Sequence, residues 1–314
     1  MKQIAYLLLS GIVGLAACQN KLSKQTDKNI QDIDNIKQET NIDSIKQKNK
    51  LDSVKLVLAQ TTDLLKRIKL HQQIIDIKIE GTSPEERCQL FDDYSTEVQK
   101  ELNKLNERES HYIEHYYDYR IDDEGNEKEP HDSIKKKDLF YKKAGIDIID
   151  LGEGIVELTL QTKFYTKYVK QLPKYYQDYW YLIKDAENIA PDACLIITWH
   201  ELSNLLARYE TYVKRYPTQK ELFCRLKDDY KFLQSAFLFG VDNTSTVDFD
   251  SVDKKVKEEW KRFIKTYPDS PTTPFIKEML LLNKYEDMYS IQQKLIRFQE
   301  TSKYPLLKTC TFKR

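Results

Sequence analysis

The residues best suited to chemistry form the segment His111-Tyr112-Ile113-Glu114-His115. On a helix, H-x-x-E-H places two imidazoles one turn apart on one face, as a zinc site requires, and leaves Glu114 as a base. The pattern has only three fixed letters, and no third ligand stands out among the many downstream carboxylates. Partly exposed histidines without metal are the simpler interpretation. A zinc-dependent hydrolase that uses His111, Glu114 and His115 is the alternative function.

Two other segments carry reactive side chains without a complete motif. Asp242, Asp248, Asp250 and Asp253 crowd one loop, but the ligand order and central glycine of an EF-hand are absent, so helix N-capping and solvation explain them more simply. His200 has no obvious partner for nucleophilic catalysis. The sequence contains no phosphate-cradling glycine loop, and 8 glycines in the whole chain could hardly build one. We therefore expect no cofactor and no catalytic residue.

The first 18 residues have the anatomy of a cleaved secretory signal. Lys2 provides a basic start, an apolar run extends from Ile4 to Leu15, and the run is too short for a stable transmembrane helix. The ending Leu15-Ala16-Ala17-Cys18 resembles the lipobox of bacterial lipoproteins. That resemblance implies cleavage before Cys18 and acylation, for example by palmitate, of its thiol and new amino terminus. An ordinary signal peptide that contains a cysteine is the alternative.

The residues after Cys18 favour one location in the cell envelope. Gln19 is not the aspartate that retains lipoproteins in the inner membrane of enteric bacteria, which by analogy favours the outer membrane. Surface-exposed lipoproteins of Bacteroidetes carry acidic residues at this point, whereas residues 19–24 are QNKLSK. We therefore expect an anchor in the outer membrane with the protein facing the periplasm.

Four cysteines remain besides Cys18: Cys88, Cys194, Cys224 and Cys310. They permit two disulfides in three possible connectivities, and none of them forms a C-x-x-C pair. A bond between Cys194 and Cys224 would contribute roughly 3–4 kcal/mol by loop-closure arithmetic. Four buried free thiols are an equally open alternative.

Composition limits both the partners and the fold. Lys+Arg and Asp+Glu are both 50, so no basic excess supports nucleic-acid binding. The low Gly and Pro content, 8 and 9, and the many Lys, Glu, Leu and Ile residues favour helices. The 21 Tyr and 12 Phe supply core-forming side chains, and a tyrosine-lined peptide- or glycan-binding surface is the more specific interpretation of the tyrosines.

Periodicity divides the N-terminal half into a tether, a hairpin and a charged loop. Residues 1–17 are the predicted signal peptide and 18–50 a polar tether whose nine-residue repeats (Ile42, Leu51) would face opposite sides of a helix. Residues 51–119 predict a helical hairpin that turns near 80–83, with Ser83 as N-cap and Pro84 at the first helical position. Residues 120–162 predict a charged loop over 120–139 and then a short β-hairpin around the turn at 152–154.

The last part, 163–314, contains a degenerate repeat. Tyr165 to Pro173, Tyr209 to Pro217 and Trp260 to Pro268 each pair two large aromatics one helical turn apart, then a lysine, then a proline, with spacings of 44 and 51 residues. Each copy predicts a helix end whose aromatics enter the core, and the spacing fits two helices per unit. Loops are expected around 187–195 and 240–252.

The last copy, Phe263-Ile264-Lys265-Thr266-Tyr267-Pro268-Asp269-Ser270-Pro271, resembles the tetratricopeptide-like repeats of bacterial envelope lipoproteins. The composition and the stretch from Gly240 to Asp250 are also similar to uncharacterised lipoproteins of Bacteroidetes-type bacteria. The sequence thus predicts a mainly α protein: a helical hairpin, a small β-hairpin and a repeat-like α-solenoid. We expect a non-catalytic binding or scaffold module for an envelope protein, peptide or glycan, or a spacer whose role is reach.

Overall fold

The computed structural model describes residues 44–248, 251–282 and 288–308, so the predicted signal peptide, Cys18, most of the tether and Cys310 lie outside the described residues. The described chain is mainly helical with a small antiparallel β-hairpin, as the sequence predicted. The helices are α1 (44–60), α2 (Leu64–Ile79), α3 (Pro84–Arg108), α4 (Ser110–Glu114), α5 (Asp132–Ala144), α6 (Thr162–Val169), α7 (Lys174–Ala186), α8 (Trp199–Arg215), α9 (Lys220–Arg225), α10 (Lys227–Phe239), α11 (Lys254–Thr266), α12 (Thr273–Leu281) and α13 (Met288–Thr301).

The strands are short and pair locally. β1 (Ile146–Gly152) and β2 (Ile155–Leu160) form the antiparallel hairpin that the sequence predicted, in a register that runs from Ile146 opposite Leu160 to Gly152 opposite Ile155. Two smaller pairings fill the region predicted as a loop: β3 (Gly240–Val241) with β4 (Thr244–Ser245), and β5 (Val247–Asp248) with β6 (Ser251–Val252). Strands of two residues carry no alternating pattern, so sequence periodicity could not reveal them.

The predicted hairpin of α2 and α3 is present, and its turn is the one expected. Ser83 caps α3 with a full capping box: its side chain accepts from Glu86 N and the Glu86 side chain accepts from Ser83 N, with Pro84 at the start of the helix. α3 buries a stripe of apolar residues on one face: Phe91, Tyr94, Val98, Leu102 and Leu105. These buried rows make α2 and α3 the N-terminal half of the core.

The first arm of the hairpin predicted over 51–119 is two helices rather than one. Residues 61–63 are not helical, and Asp63 caps α2 by accepting from Lys66 N. The polar residues at Thr61 therefore mark a turn. The helix before it, α1, lies antiparallel to α2, which follows it. Gln47 Nε2 donates to the Ile77 carbonyl at 2.6 Å. The helix already includes residues 44–50, which were assigned to the tether.

The prediction of a charged loop over 120–139 is wrong for its second half, because α5 begins at Asp132. The turn chemistry before it is present, because the Asp122 side chain accepts from the backbone of Glu124 and Asn126. Sequence periodicity missed α5 because most of its surface faces solvent and Tyr141 is its one fully buried residue.

The three repeat copies end helices, as predicted. They lie at the C-terminal ends of α6, α8 and α11. Tyr216 and Tyr267 are the C-cap residues of α8 and α11. The aromatic pairs enter the core: Tyr168, Tyr209, Tyr212, Trp260 and Phe263 are buried. α8 is central to this half because it contacts α7, α10 and α11.

An aromatic cluster joins the two halves of the protein. Tyr94 of α3 lies against Tyr165 and Tyr168 of α6, with ring centroids 6.0 and 5.1 Å apart. Phe91 meets Tyr176 of α7 edge-on at 6.2 Å. Aromatic pairs at these distances add to the energy of burial. The core is therefore continuous from the N-terminal hairpin into the repeat region.

Candidate functional site

The structure brings the two histidines of the H-x-x-E-H segment together, but no third ligand joins them among the described residues. They lie on the short helix α4 and the turn after it, with ring centroids 4.6 Å apart. His115 Nδ1 contacts Asp118 Oδ2 at 2.6 Å, and Glu114 is exposed. No group of three or more His, Cys, Asp or Glu side chains in the described ranges is arranged to hold a metal ion. The segment therefore lacks the ligand set that a zinc site needs.

The cysteines differ from one another in state. Cys194 is exposed and carries a free thiol, so the Cys194–Cys224 bond considered from the sequence is not formed. Cys224 is disulfide-bonded. Cys88 is a buried free thiol whose pKa is raised by burial, and its Sγ lies 3.7 Å from the Tyr175 hydroxyl. Such a thiol behaves as a small core residue.

The aspartates of the 240–252 loop do not converge on a site in the described residues. Asp253 caps α11, with its side chain accepting from the backbone of Lys255 and Val256, as the simpler interpretation required. Asp242 is exposed in the turn between β3 and β4. Asp248 belongs to β5, and Asp250 lies outside the described residues.

His200 has a partner that the sequence did not reveal. Its Nδ1 lies 3.2 Å from Glu259 Oε2 across the α8–α11 contact, and Ser203 donates to the same carboxylate. A nucleophilic triad needs the imidazole between serine and carboxylate, but here the carboxylate lies between them and Ser203 is fully buried. The cluster therefore links α8 to α11.

Glu259 is held as an anion within this cluster. Burial raises the pKa of its carboxyl, but hydrogen bonds from Arg262, Ser203 and His200 outweigh it and bring the pKa below its ordinary value. Arg262 donates to both carboxylate oxygens through two nitrogens, from Nε to Oε2 at 2.9 Å and from Nη2 to Oε1 at 2.5 Å. Such bidentate pairs are among the stronger polar contacts in proteins.

An open groove of about 350 Å³ lies between α7 and α8. Both helices contribute side chains with the same i, i+3, i+4, i+7 spacing, which is one face of a helix. From α7 these are Asp178, Tyr181, Leu182 and Asp185, and from α8 Arg208, Thr211, Tyr212 and Arg215, with Tyr216 after them. Leu182 and Tyr212 are buried, whereas Tyr181 and Tyr216 are half-buried. We call this feature the α7–α8 groove.

Ion pairs cross the groove at both ends. Arg208 Nη1 lies 2.6 Å from Asp185 Oδ2, and both side chains are about half exposed, at 49% and 47%. At the other end Arg215 Nη1 lies 3.4 Å from Asp178 Oδ2. An exposed pair such as Arg208–Asp185 stabilises a protein by about 0–1 kcal/mol, so it can exchange partners at little cost.

Of the two carboxylates in these ion pairs, Asp178 makes more polar contacts than Asp185. Burial raises its pKa, but hydrogen bonds from Lys174 and Tyr216 and the charges of Lys174 and Arg215 lower it overall. The Tyr216 hydroxyl donates to Asp178 Oδ2 at 2.7 Å, which fixes the ring at the side of the groove.

Two smaller cavities continue the surface along α8. One, of about 300 Å³, shares Asp185 and Arg208 with the groove and adds Glu201 and Asn204. The other, of about 130 Å³, lies on the α11 side of α8 and shares Thr211. α8 is thus flanked by concave surface on both sides.

Sequence reasoning anticipated a tyrosine-lined surface but not its residues. Tyr209 and Tyr212 stood out as repeat positions, whereas Tyr181, Arg208 and Arg215 were not singled out. The matched spacing of polar residues on two consecutive helices was the available signal. Which helices are neighbours, however, is decided by packing.

No protein-family model, no curated protein and no solved structure matches this chain. None of the helices in the described residues combines the length and apolar character needed to span a bilayer. The surfaces along α8 are therefore interpreted from their own geometry.

Proposed function

We propose that this protein is a lipid-anchored, non-catalytic binding module of the cell envelope that holds a polypeptide segment of another envelope protein in the α7–α8 groove. The observation that carries the proposal is the combination of two half-buried tyrosines with two ion pairs across one open groove. Tyrosine and arginine are enriched at protein interfaces, where they supply both contact area and hydrogen bonds.

The charge pattern favours a polypeptide over a glycan. The groove presents carboxylates on α7 and guanidinium groups on α8, and a partner segment with charges of both signs can replace these internal pairs. A neutral glycan would gain only hydroxyl hydrogen bonds at the same groups. Because exposed pairs contribute little to folding, their exchange leaves the energy of Tyr181 and Tyr216 burial available for binding.

The anchor belongs to the same proposal and has its own test. Cells fed a radiolabelled fatty acid should label the protein, and Cys18→Ser should abolish the label while the chain is still made. Cell fractionation should place the labelled protein in the outer membrane, and protease protection in intact cells should show that it faces the periplasm. Label that persists in Cys18→Ser contradicts the anchor.

The groove is tested by site-specific photo-crosslinking in cells that express the full-length protein. A photoreactive phenylalanine analogue at Tyr181 should capture one defined protein, and the same analogue at the exposed α3 residue Glu107 should not. Mapping of the crosslinked peptide should identify a segment with acidic and basic residues.

A charge-swapped variant provides the matched control. Asp185→Arg combined with Arg208→Asp restores an ion pair across the groove but reverses its polarity. We expect an unchanged unfolding midpoint and at least about a tenfold loss of crosslinking. Undiminished crosslinking in the swapped protein, or capture of glycan in place of protein, contradicts the polypeptide assignment.

A further inference from the structure

The smallest of the three cavities along α8 has an unusual lining. It lies between the C-terminal ends of α8 and α11 and is about 130 Å³, several times the volume of a water molecule. Its charged lining residues are Glu210 and Lys214 of α8 and Asp269 of the turn after α11. Ser270 and Tyr267 add polar groups to the same wall. It is separate from the α7–α8 groove, on the opposite side of α8.

Glu210 is a buried carboxylate, and its hydrogen bonds from described residues all go to one of its two oxygens. The residue is 4% exposed. Its Oε1 accepts three hydroxyl hydrogen bonds, from Tyr230 at 3.0 Å, Ser270 at 2.9 Å and Thr272 at 3.2 Å. Among the described residues no donor reaches Oε2. The hydroxyls fix the orientation of the carboxylate, so Oε2 is the atom that remains for the cavity.

The charges around this cavity are unpaired, in contrast to those of the α7–α8 groove. Neither Glu210, Lys214 nor Asp269 forms a salt bridge with a described residue, although Arg208 and Arg215 on the same helix both do. A buried charge without an ionic partner is costly, and an incoming ion of opposite sign relieves that cost. This cost applies to Glu210, which therefore favours a cation, whereas Lys214 and Asp269 are exposed and can contact the charged groups of a ligand at the cavity mouth.

We propose that this cavity binds a small zwitterion, with its primary ammonium group on Glu210 and Asp269 and its carboxylate on Lys214. Glu210 and Lys214 are one helical turn apart on α8, so their Cβ atoms are about 5–6 Å apart and the ammonium and carboxylate of one free α-amino acid can reach both side chains. The cavity volume restricts the ligand to a small side chain. Glycine and alanine are the natural representatives of this class.

The raised pKa of the Glu210 carboxyl agrees with a cation-binding site. Burial raises the pKa of its carboxyl above the ordinary value, against the lowering effect of the hydroxyls of Ser270, Tyr230 and Thr272 and the charge of Lys214. A bound ammonium would add to the charge of Lys214 and lower the pKa of Glu210 further.

The test is calorimetric titration of the full-length protein with glycine, ethylamine and acetate. We expect glycine to bind, ethylamine to bind at least about tenfold more weakly because it leaves Lys214 unused, and acetate not to bind. Ethylamine that binds as tightly as glycine, acetate that binds, or glycine that fails to bind overturns the proposal.

Three variants separate a binding role from a structural one. Glu210→Gln keeps the oxygen that accepts the three hydroxyls but removes the charge, and we expect at least about a tenfold loss of glycine affinity. Lys214→Met changes an exposed residue, so it tests the site independently of folding and should weaken glycine but not ethylamine. Lys261→Met, on an exposed position of α11, should leave both affinities unchanged. Equal glycine affinity in wild type and Glu210→Gln overturns the assignment.

Discussion

Tyr216 and Tyr267 end their helices in the same backbone conformation, with φ −126° and ψ 58° at Tyr216 and φ −127° and ψ 61° at Tyr267. Each donates its backbone N–H four residues back, to Tyr212 and Phe263, and each precedes a proline. Proline excludes the preceding residue from the helical region, so the same dipeptide ends both helices in the same way. The repeat in the sequence therefore corresponds to a repeated backbone conformation at the helix ends.

The repeat implies that Trp260 is a core anchor. It is fully buried, and its Nε1 donates to the Phe237 carbonyl at 2.9 Å. Trp260→Phe leaves that carbonyl without its donor and opens a small cavity, so we expect the free energy of unfolding to fall by about 2–4 kcal/mol. Urea denaturation measures the change. Half-buried Trp199→Phe is the control, and an equal loss in both variants contradicts the prediction.

An arginine paired with a buried carboxylate and an arginine paired at the surface should differ sharply in their contribution to stability. Arg67 Nη2 donates at 2.8 Å to Glu101, whose side chain is 2% exposed, whereas Arg208 pairs at the surface. Arg67→Met leaves a buried carboxylate short of its main cation and should lower the free energy of unfolding by about 3 kcal/mol. Arg208→Met should lower it by less than about 1 kcal/mol. Urea denaturation of both variants is the measurement, and similar losses of unfolding free energy would contradict the prediction.

His71 should make stability depend on pH. Burial lowers its pKa from the ordinary 6.5, more than Glu101 and Glu97 raise it. As the pH falls below 6.5, the unfolded chain binds a proton that the folded protein does not, so the free energy of unfolding decreases until the pH reaches the folded pKa.

His71→Gln removes this proton uptake and keeps a polar side chain of similar length. We expect its free energy of unfolding to change less than that of the wild type between about pH 7 and about pH 5. Guanidinium denaturation at a series of pH values gives both slopes. Parallel curves for the two proteins are the contradicting result.

Two glycines of one turn offer a matched pair. At Gly152, φ is +92° and an added Cβ would lie 2.3 Å from the backbone nitrogen of Asp192, whereas Gly154 has φ +75° and no atom within 4 Å of that position. Gly154→Ala should cost about 1 kcal/mol from backbone conformation alone. Gly152→Ala should cost about 2–4 kcal/mol because the loop at Asp192 must also move. Thermal unfolding compares them, and equal costs would show that the contact with Asp192 does not constrain the hairpin.

Local signals predicted the elements well where one face of a helix is buried. Ser83 and Pro84 defined the start of α3, and the aromatic pairs of the repeat identified the ends of α6, α8 and α11. The prediction was wrong where burial is slight, as in α5, or where a polar gap could mean either a continuous helix or a turn, as at Thr61. In both cases the deciding contacts are made by distant residues.

The sequence alone determined the helical class, the hairpin, the repeat and its helix ends, because each depends on residues within a few turns of one another. Only the tertiary structure decided that Asp178 and Asp185 face Arg215 and Arg208 across a groove, that His200 meets Glu259, and that Glu210 is buried without an ionic partner. These relationships depend on which helices pack together. Periodicity specifies the face of a helix that is buried but not the helix that covers it.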